Sequence, residues 1–209
     1  HHITHMKSLK FYPTNINRRY IDETVSALRD GKLIIYPTDT LYAIGCDALN
    51  NRAIEKICRI KGINPAKQLL SIVCSDISQA AEYARIDNNA FRLMRSNLPG
   101  PFTFILPAAT TLPKAFKGRH TVGVRIPDND IARAIADALG NPLLSTSVSI
   151  DRLEGYETVE PLSLAIQYED TVDLLVDGGT GSTGQSTIVD CLDSSYPEIT
   201  REGTGTLRQ

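Results

Sequence analysis

Apolar residues recur along the chain in two alternating rhythms. Ile21, Val25 and Leu28 fall on one helical face and Asp30-Gly31 supplies a stop, which predicts a helix over about residues 20–30. Lys32 to Pro37 is short, β-rich and apolar, and delivers Thr38-Asp39-Thr40 at the end of a predicted strand. Asn50 or Asn51 caps a helix carrying Ile54, Ile57 and Cys58, which Lys61-Gly62-Ile63-Asn64-Pro65 must stop. Leu69 to Cys74 reads as a buried strand, and Asp76 as the cap of a helix through Ala84. Ala90, Phe91, Met94 and Leu98 make the apolar face of the next helix, ended by Pro99-Gly100-Pro101 before a strand from Phe102 to Leu106. Val122, Val124 and Ile126 alternate with Gly123 and Arg125, the period of a strand whose other face is polar. A helix over about 129–139 ends at Gly140, and Leu143-Leu144 runs into the hydroxyl-rich, strand-like Ser145-Thr146-Ser147-Val148-Ser149. A helix over about 161–168 and strands over about 172–177, 186–192 and 197–202 complete the series. Mixed helices and strands without repeats or a dividing linker predict an α/β (α+β) single domain with a mixed sheet.

Composition narrows the class. The chain has 209 residues, 42% of them hydrophobic, which suits a globular domain and not a disordered one. No apolar run approaches the about 18 residues of a membrane span, so a soluble, cytoplasmic protein is expected. A net charge of −2 gives no global attraction to nucleic acid, so anion binding must come from local clusters. His1, His2 and His5 precede Met6 in what reads as a tag remnant over residues 1–5, leaving His120 alone and residues 6–209 as the domain. Cys46, Cys58, Cys74 and Cys191 form no Cys-x-x-Cys pair and read as buried thiols; no metal site is expected.

Gly179-Thr180-Gly181-Ser182-Thr183-Gly184-Gln185-Ser186 matches a phosphate-binding loop except that Gln185 stands where the lysine belongs. The residues after it are β-branched and read as a strand, whereas such a loop must open a helix. Two readings remain: a plain glycine loop, or one that folds over a ligand and presents Ser186 and Thr187. Lys56, Arg59, Lys61 and Lys67 form one cationic cluster, and Lys114, Lys117, Arg119 and His120 a second. Each is either a solvated face or part of a site, and a polyphosphate needs several such cations with hydroxyl donors. Arg125 adds a guanidinium able to grip a carboxylate in two parallel hydrogen bonds.

Taken in order, Tyr36-Pro37-Thr38-Asp39-Thr40-Leu41-Tyr42-Ala43-Ile44-Gly45-Cys46-Asp47, Ile60-Lys61-Gly62, Pro99-Gly100-Pro101-Phe102-Thr103, Val124-Arg125-Ile126-Pro127, Ser145-Thr146-Ser147 and Ser186-Thr187-Ile188-Val189-Asp190 resemble the YrdC/YciO family. The resemblance implies a twisted mixed sheet flanked by helices around a basic concave cavity. It also implies threonylcarbamoyl-AMP synthesis from L-threonine, bicarbonate and ATP, with Mg²⁺ carried by the nucleotide, for threonylcarbamoyladenosine modification of tRNA. Lys61 and Ser147 would be catalytic. Thr40, Thr103, Arg125, Ser145 and Ser186 would bind substrate, and Lys61, Lys67, Ser147, Ser149 and Arg201 the nucleotide. The family's Lys-x-Arg and Ser-x-Asn pairs are reduced here to Lys61-x-Ile63 and Ser147-x-Ser149, with Arg59 or Lys67 as candidate substitutes for the arginine. These changes, with Asp39 in place of the family's Glu and the Leu70-Ser71-Ile72-Val73-Cys74 strand, resemble the YciO-type branch. Reduced or altered activity, another amino acid or carbamoyl donor, and a tRNA- or RNA-binding role without synthase turnover are the alternatives it implies.

Overall fold

The computed structural model describes residues 6–65, 67–109, 112, 116, 119–149 and 158–209. In chain order its elements are β1 (Lys7–Lys10), α1 (Arg18–Arg29), β2 (Ile34–Tyr36), β3 (Ala43–Asp47), α2 (Asn51–Lys61), β4 (Ser71–Val73), α3 (Ile77–Ala80), α4 (Asn88–Asn97) and β5 (Phe102–Pro107). There follow β6 (Thr121–Arg125), α5 (Asp130–Leu139), β7 (Leu143–Ser147), β8 (Thr158–Val159), α6 (Pro161–Gln167), β9 (Leu174–Asp177), β10 (Gly181–Ser182), β11 (Thr187–Asp190) and β12 (Glu198–Arg201). Ten strands make one mixed, twisted sheet in the order β1-β9-β2-β3-β7-β4-β6-β5-β11-β12, and β10 pairs with β8 beside it.

The helices start and stop where side chains satisfy their free ends. Asn17, Asn50, Asp87 and Asn129 accept from first-turn amides of α1, α2, α4 and α5. Gly62 and Gly140 end α2 and α5 in left-handed conformations, at φ 64° and 83°. Each helix covers one face of the sheet. Ile21, Val25 and Leu28 of α1 and Ile131, Ile135 and Leu139 of α5 pack on Ile34, Tyr36, Ala43, Leu143 and Val176. On the opposite face, Ile54 and Ile57 of α2 and Met94 of α4 share a core with Ile44, Ile72, Phe104, Val124, Leu144 and Val189. No helix among the described residues is long and apolar enough to cross a membrane.

Two expectations are corrected. The helix after Asp76 spans only Ile77–Ala80, because Ala84 instead bridges Ala108 and the Arg85 amide donates to the Pro107 carbonyl at 2.8 Å. Tertiary pairing with the end of β5 overrides the helical spacing. Phe91 is 41% exposed, while α4 buries Ala90, Leu93, Met94 and Asn97. Asn97 joins that stripe because its side chain donates to the Leu93 and Arg208 carbonyls and accepts the Arg208 amide, which an apolar count does not register. β1 and β3 were not predicted: β1 buries Leu9 alone, and β3 is enclosed on both faces and lacks an alternating pattern.

Gly45 on β3 is required by a close approach. A Cβ there would stand 2.7 Å from Tyr36 Cε1, inside the core. Gly45→Ala is therefore expected to lower stability by about 1–3 kcal/mol, the usual cost of overpacking, read as a lower urea midpoint at unchanged slope.

Candidate functional site

Pleating decides which side chains build the site. Val124, Ile72, Phe104 and Leu144 belong to the core under α2 and α4, so their neighbours Arg125, Ser71, Thr103 and Ser145 emerge on the other face, beyond the cover of α1 and α5. Ser71 pairs in register with both Ser145 and Gly123. A Cβ on Gly123 would lie 2.5 Å from Ser71 Oγ and 3.1 Å from Thr103 Cγ2, so glycine keeps this floor low. The result is a cleft of about 420 Å³, lined by this floor, by Ser147 and Ser149, by Gln185 and Ser186, and by an apolar wall that includes Ile57, Cys58 and Ile63. Among the described residues its charged lining groups are Lys61, Arg125 and Arg201, all cations.

Arg125 is 7% exposed. Its Nη2 donates to Asp39 Oδ1 at 3.1 Å and Thr40 Oγ1 at 2.9 Å, while Nε is sealed and has no hydrogen-bond partner among the described residues. Asp39 Oδ2 accepts the Asp128 amide at 2.8 Å, so this carboxylate ties the β2–β3 loop to the turn after β6. Burial pulls the guanidinium below its usual range and Asp39 opposes that shift. Thr40 is 3% exposed and lies behind Arg125. Thr38 spends its hydrogen on the Leu41 carbonyl at 2.7 Å, so Thr40 gives its own hydrogen to Thr38 and its lone pair to Arg125. Thr40 thus orients the arginine and does not line the cleft.

Lys61, in the last turn of α2, donates to Ser149 Oγ at 2.9 Å. The side chains at the two altered family positions differ in behaviour: Ser149 meets the lysine, and Ile63 packs on the core. Lys67 and Arg59 are exposed and do not line the cleft; Arg59 shares a separate hollow with Lys56, Ile60 and Thr171. At the other end, Ser186 Oγ meets Thr103 Oγ1 at 2.8 Å, and Arg201 Nη2 donates to the Ser186 carbonyl at 2.8 Å and to its Oγ at 3.1 Å. Burial, and then the charge of Arg125, lower the Arg201 pKa, so the two guanidinium groups feel one another across the cleft. In the second cationic cluster, Lys114 and Lys117 lie outside the described residues, His120 is exposed, and Arg119 donates to the Pro65 carbonyl.

The glycine loop opens no helix. Gly181 pairs with Val159, the Leu41 amide donates to the Gly184 carbonyl at 3.0 Å, and the chain enters β11. Tyr42 Oη holds the loop by accepting the Gly178 amide at 3.0 Å and donating to the Gly179 carbonyl at 2.6 Å. Nothing in the sequence gives Tyr36 or Tyr42 a role, and the signals for Asp39 are its polar triplet at a strand end and its place at the family's Glu position.

All four cysteines are free and buried, and burial raises each thiol, Cys191 to about 11. The native protein should therefore react slowly with a thiol-specific disulfide reagent at pH 7.5, and release four equivalents only after unfolding. Rapid labelling of the native chain would contradict the burial. Among the described residues no three His, Cys, Asp or Glu side chains converge as a metal site.

Residues 26–203 match the model of the family described as telomere recombination, which groups Sua5, YciO and YrdC. The chain is 38% identical to the uncharacterized protein YciO of Escherichia coli K12, over 94% of this chain and 95% of that one. It is 39% identical to an uncharacterized protein of Haemophilus influenzae over 93% of this chain and 94% of the relative. The crystal structure of E. coli YciO superposes with a TM-score of 0.86 over 96% of this chain and 97% of its own. That of P. abyssi Sua5 complexed with L-threonine superposes at 0.80, with 26% identity, over 94% of this chain and 57% of the larger protein. By sequence and by fold, this chain belongs to the Sua5/YciO/YrdC family.

Proposed function

We propose that the cleft binds L-threonine and ATP and forms threonylcarbamoyl-AMP and pyrophosphate, with bicarbonate as the carbon source. The observation that carries this reading is the buried Arg125 guanidinium, held by Asp39 and Thr40, which lines the cleft with Lys61 and Arg201, so that among the described residues every charged lining group is a cation. The likeness to a Sua5 complexed with L-threonine supports the same assignment. In this reading Arg125, oriented by Thr40 and Asp39, takes the amino-acid carboxylate. Lys61 and the hydroxyls of Ser147 and Ser149 take the nucleotide, and Arg201 with Ser186 closes the far end.

The chemistry asks the protein chiefly to align anions. The threonine nitrogen attacks the bicarbonate carbon, water leaves, and a carbamate results. A carbamate oxygen then attacks the α-phosphorus, and the bond to pyrophosphate breaks. Bringing two anions together is unfavourable, and converging cations in a partly dry site offset the repulsion. The divalent cation enters as part of the MgATP substrate.

Isothermal titration with L-threonine, D-threonine and glycine tests the reading. Binding of L-threonine at least about tenfold tighter than either comparator is expected, since both the methyl-hydroxyl side chain and the stereocentre must be read. Equal, weak heats for all three would contradict it.

A further inference from the structure

Tyr36 is wholly buried, and its hydroxyl meets Ser145 Oγ at the floor of the cleft. Tyr36 lies opposite Ala43 on β3, and Ser145 opposite Gly45, so the phenol reaches diagonally across β3 to β7. Gly45 makes this possible, because a Cβ there would approach Tyr36 Cε1 to 2.7 Å and Ser145 Oγ to 3.4 Å. The ring lies against Gly45 and its hydroxyl reaches Ser145.

Proton accounting gives the pair a polarity. Burial raises the Tyr36 phenol far above its usual range, so it keeps its hydrogen at neutral pH. A phenol is a stronger donor than an aliphatic alcohol, so the shared hydrogen comes from Tyr36 and Ser145 accepts it. Ser145 is left with its own hydrogen to give, and the space in front of it is the cleft. Ser145 and Arg125 line the same cleft.

We propose that Tyr36 is a positioning residue that turns Ser145 into a hydrogen-bond donor toward the carboxylate gripped by Arg125. The inference rests on the reading of the cleft as an L-threonine site. Titrating L-threonine and ATP into the wild-type chain, Tyr36→Phe, Ser145→Ala and the double variant tests it. Each single change is expected to weaken L-threonine binding about five- to tenfold and to move ATP affinity by less than about twofold. The double variant should bind no more weakly than either single one, because both remove the same donor. In a pyrophosphate-release assay Tyr36→Phe should raise the KM for threonine more than it lowers kcat, a split that a loss of folded protein does not produce.

Unchanged threonine affinity in Ser145→Ala, or losses that add in the double variant, would overturn the inference. Should Tyr36→Phe fail to fold, Ser145→Ala alone decides, since it leaves the ring packing intact. A wild-type chain that binds no threonine overturns the parent reading and this one together. A wild-type chain whose threonine binding survives Ser145→Ala overturns this one alone.

Discussion

Arg125→Ala is expected to remove measurable L-threonine binding, a loss on the order of 100-fold or more, since charge-assisted bonds to a buried guanidinium contribute about 1.5–3 kcal/mol each. The same change leaves the Asp39 carboxylate without its cation at a site where its side chain is only 11% exposed. Stability should fall by about 3–5 kcal/mol, the cost of breaking a buried pair from one side. Binding and folding therefore have to be separated. Arg125→Lys does so, because it keeps a positive charge opposite Asp39 but loses the planar fork, with an expected loss of about tenfold in threonine affinity. Asp39→Asn keeps one acceptor oxygen, sets an NH2 donor against either Arg125 Nη2 or the Asp128 amide, and should therefore also lower stability. Titration calorimetry beside urea unfolding reads both effects; wild-type threonine affinity in Arg125→Lys would mean that guanidinium geometry is not the grip.

The second large effect concerns the nucleotide. Lys61→Ala should weaken ATP about 10- to 100-fold, as expected on removing a charge-assisted donor to a polyphosphate. The reverse experiment is more informative. Ile63 lines the cleft with carbon, and Ser149 is the partner of Lys61. Ile63→Arg with Ser149→Asn restores the two polar groups that the family resemblance places there. ATP affinity is expected to rise by roughly tenfold, less a packing cost for Ile63 of about 1 kcal/mol. Fluorescence titration with a labelled ATP measures both variants. An unchanged constant in the double variant would show that Ile63 and Ser149 do not limit nucleotide binding.

What the chain disclosed in advance follows from the physics of each signal. The helices α1, α2 and α5 were legible because each combines an apolar stripe with a glycine stop, and α2 a capping asparagine as well. Arg125 stood out as the charge on the polar face of an alternating strand, and Ser145 to Ser149 because hydroxyls follow a buried leucine pair. β3 was not legible, since a strand covered on both faces loses its alternation. Nor were the partners that matter most. Asp39 and Arg125 are 86 positions apart and Tyr36 and Ser145 are 109 apart. Only the order of the strands brings them together, and no local period encodes that order. The first cation cluster divides for the same reason: Lys61, in the last turn of α2, lines the cleft and Lys67 does not.

Pyrophosphate release from MgATP and bicarbonate, followed with and without L-threonine and with Lys61→Ala as the control, tests the central claim most directly. The account predicts release that requires threonine and is lost in the control. Absence of threonine-dependent release from a chain that binds ATP would contradict it, and steeply salt-dependent binding of tRNA by the same chain would then assign the cleft to RNA.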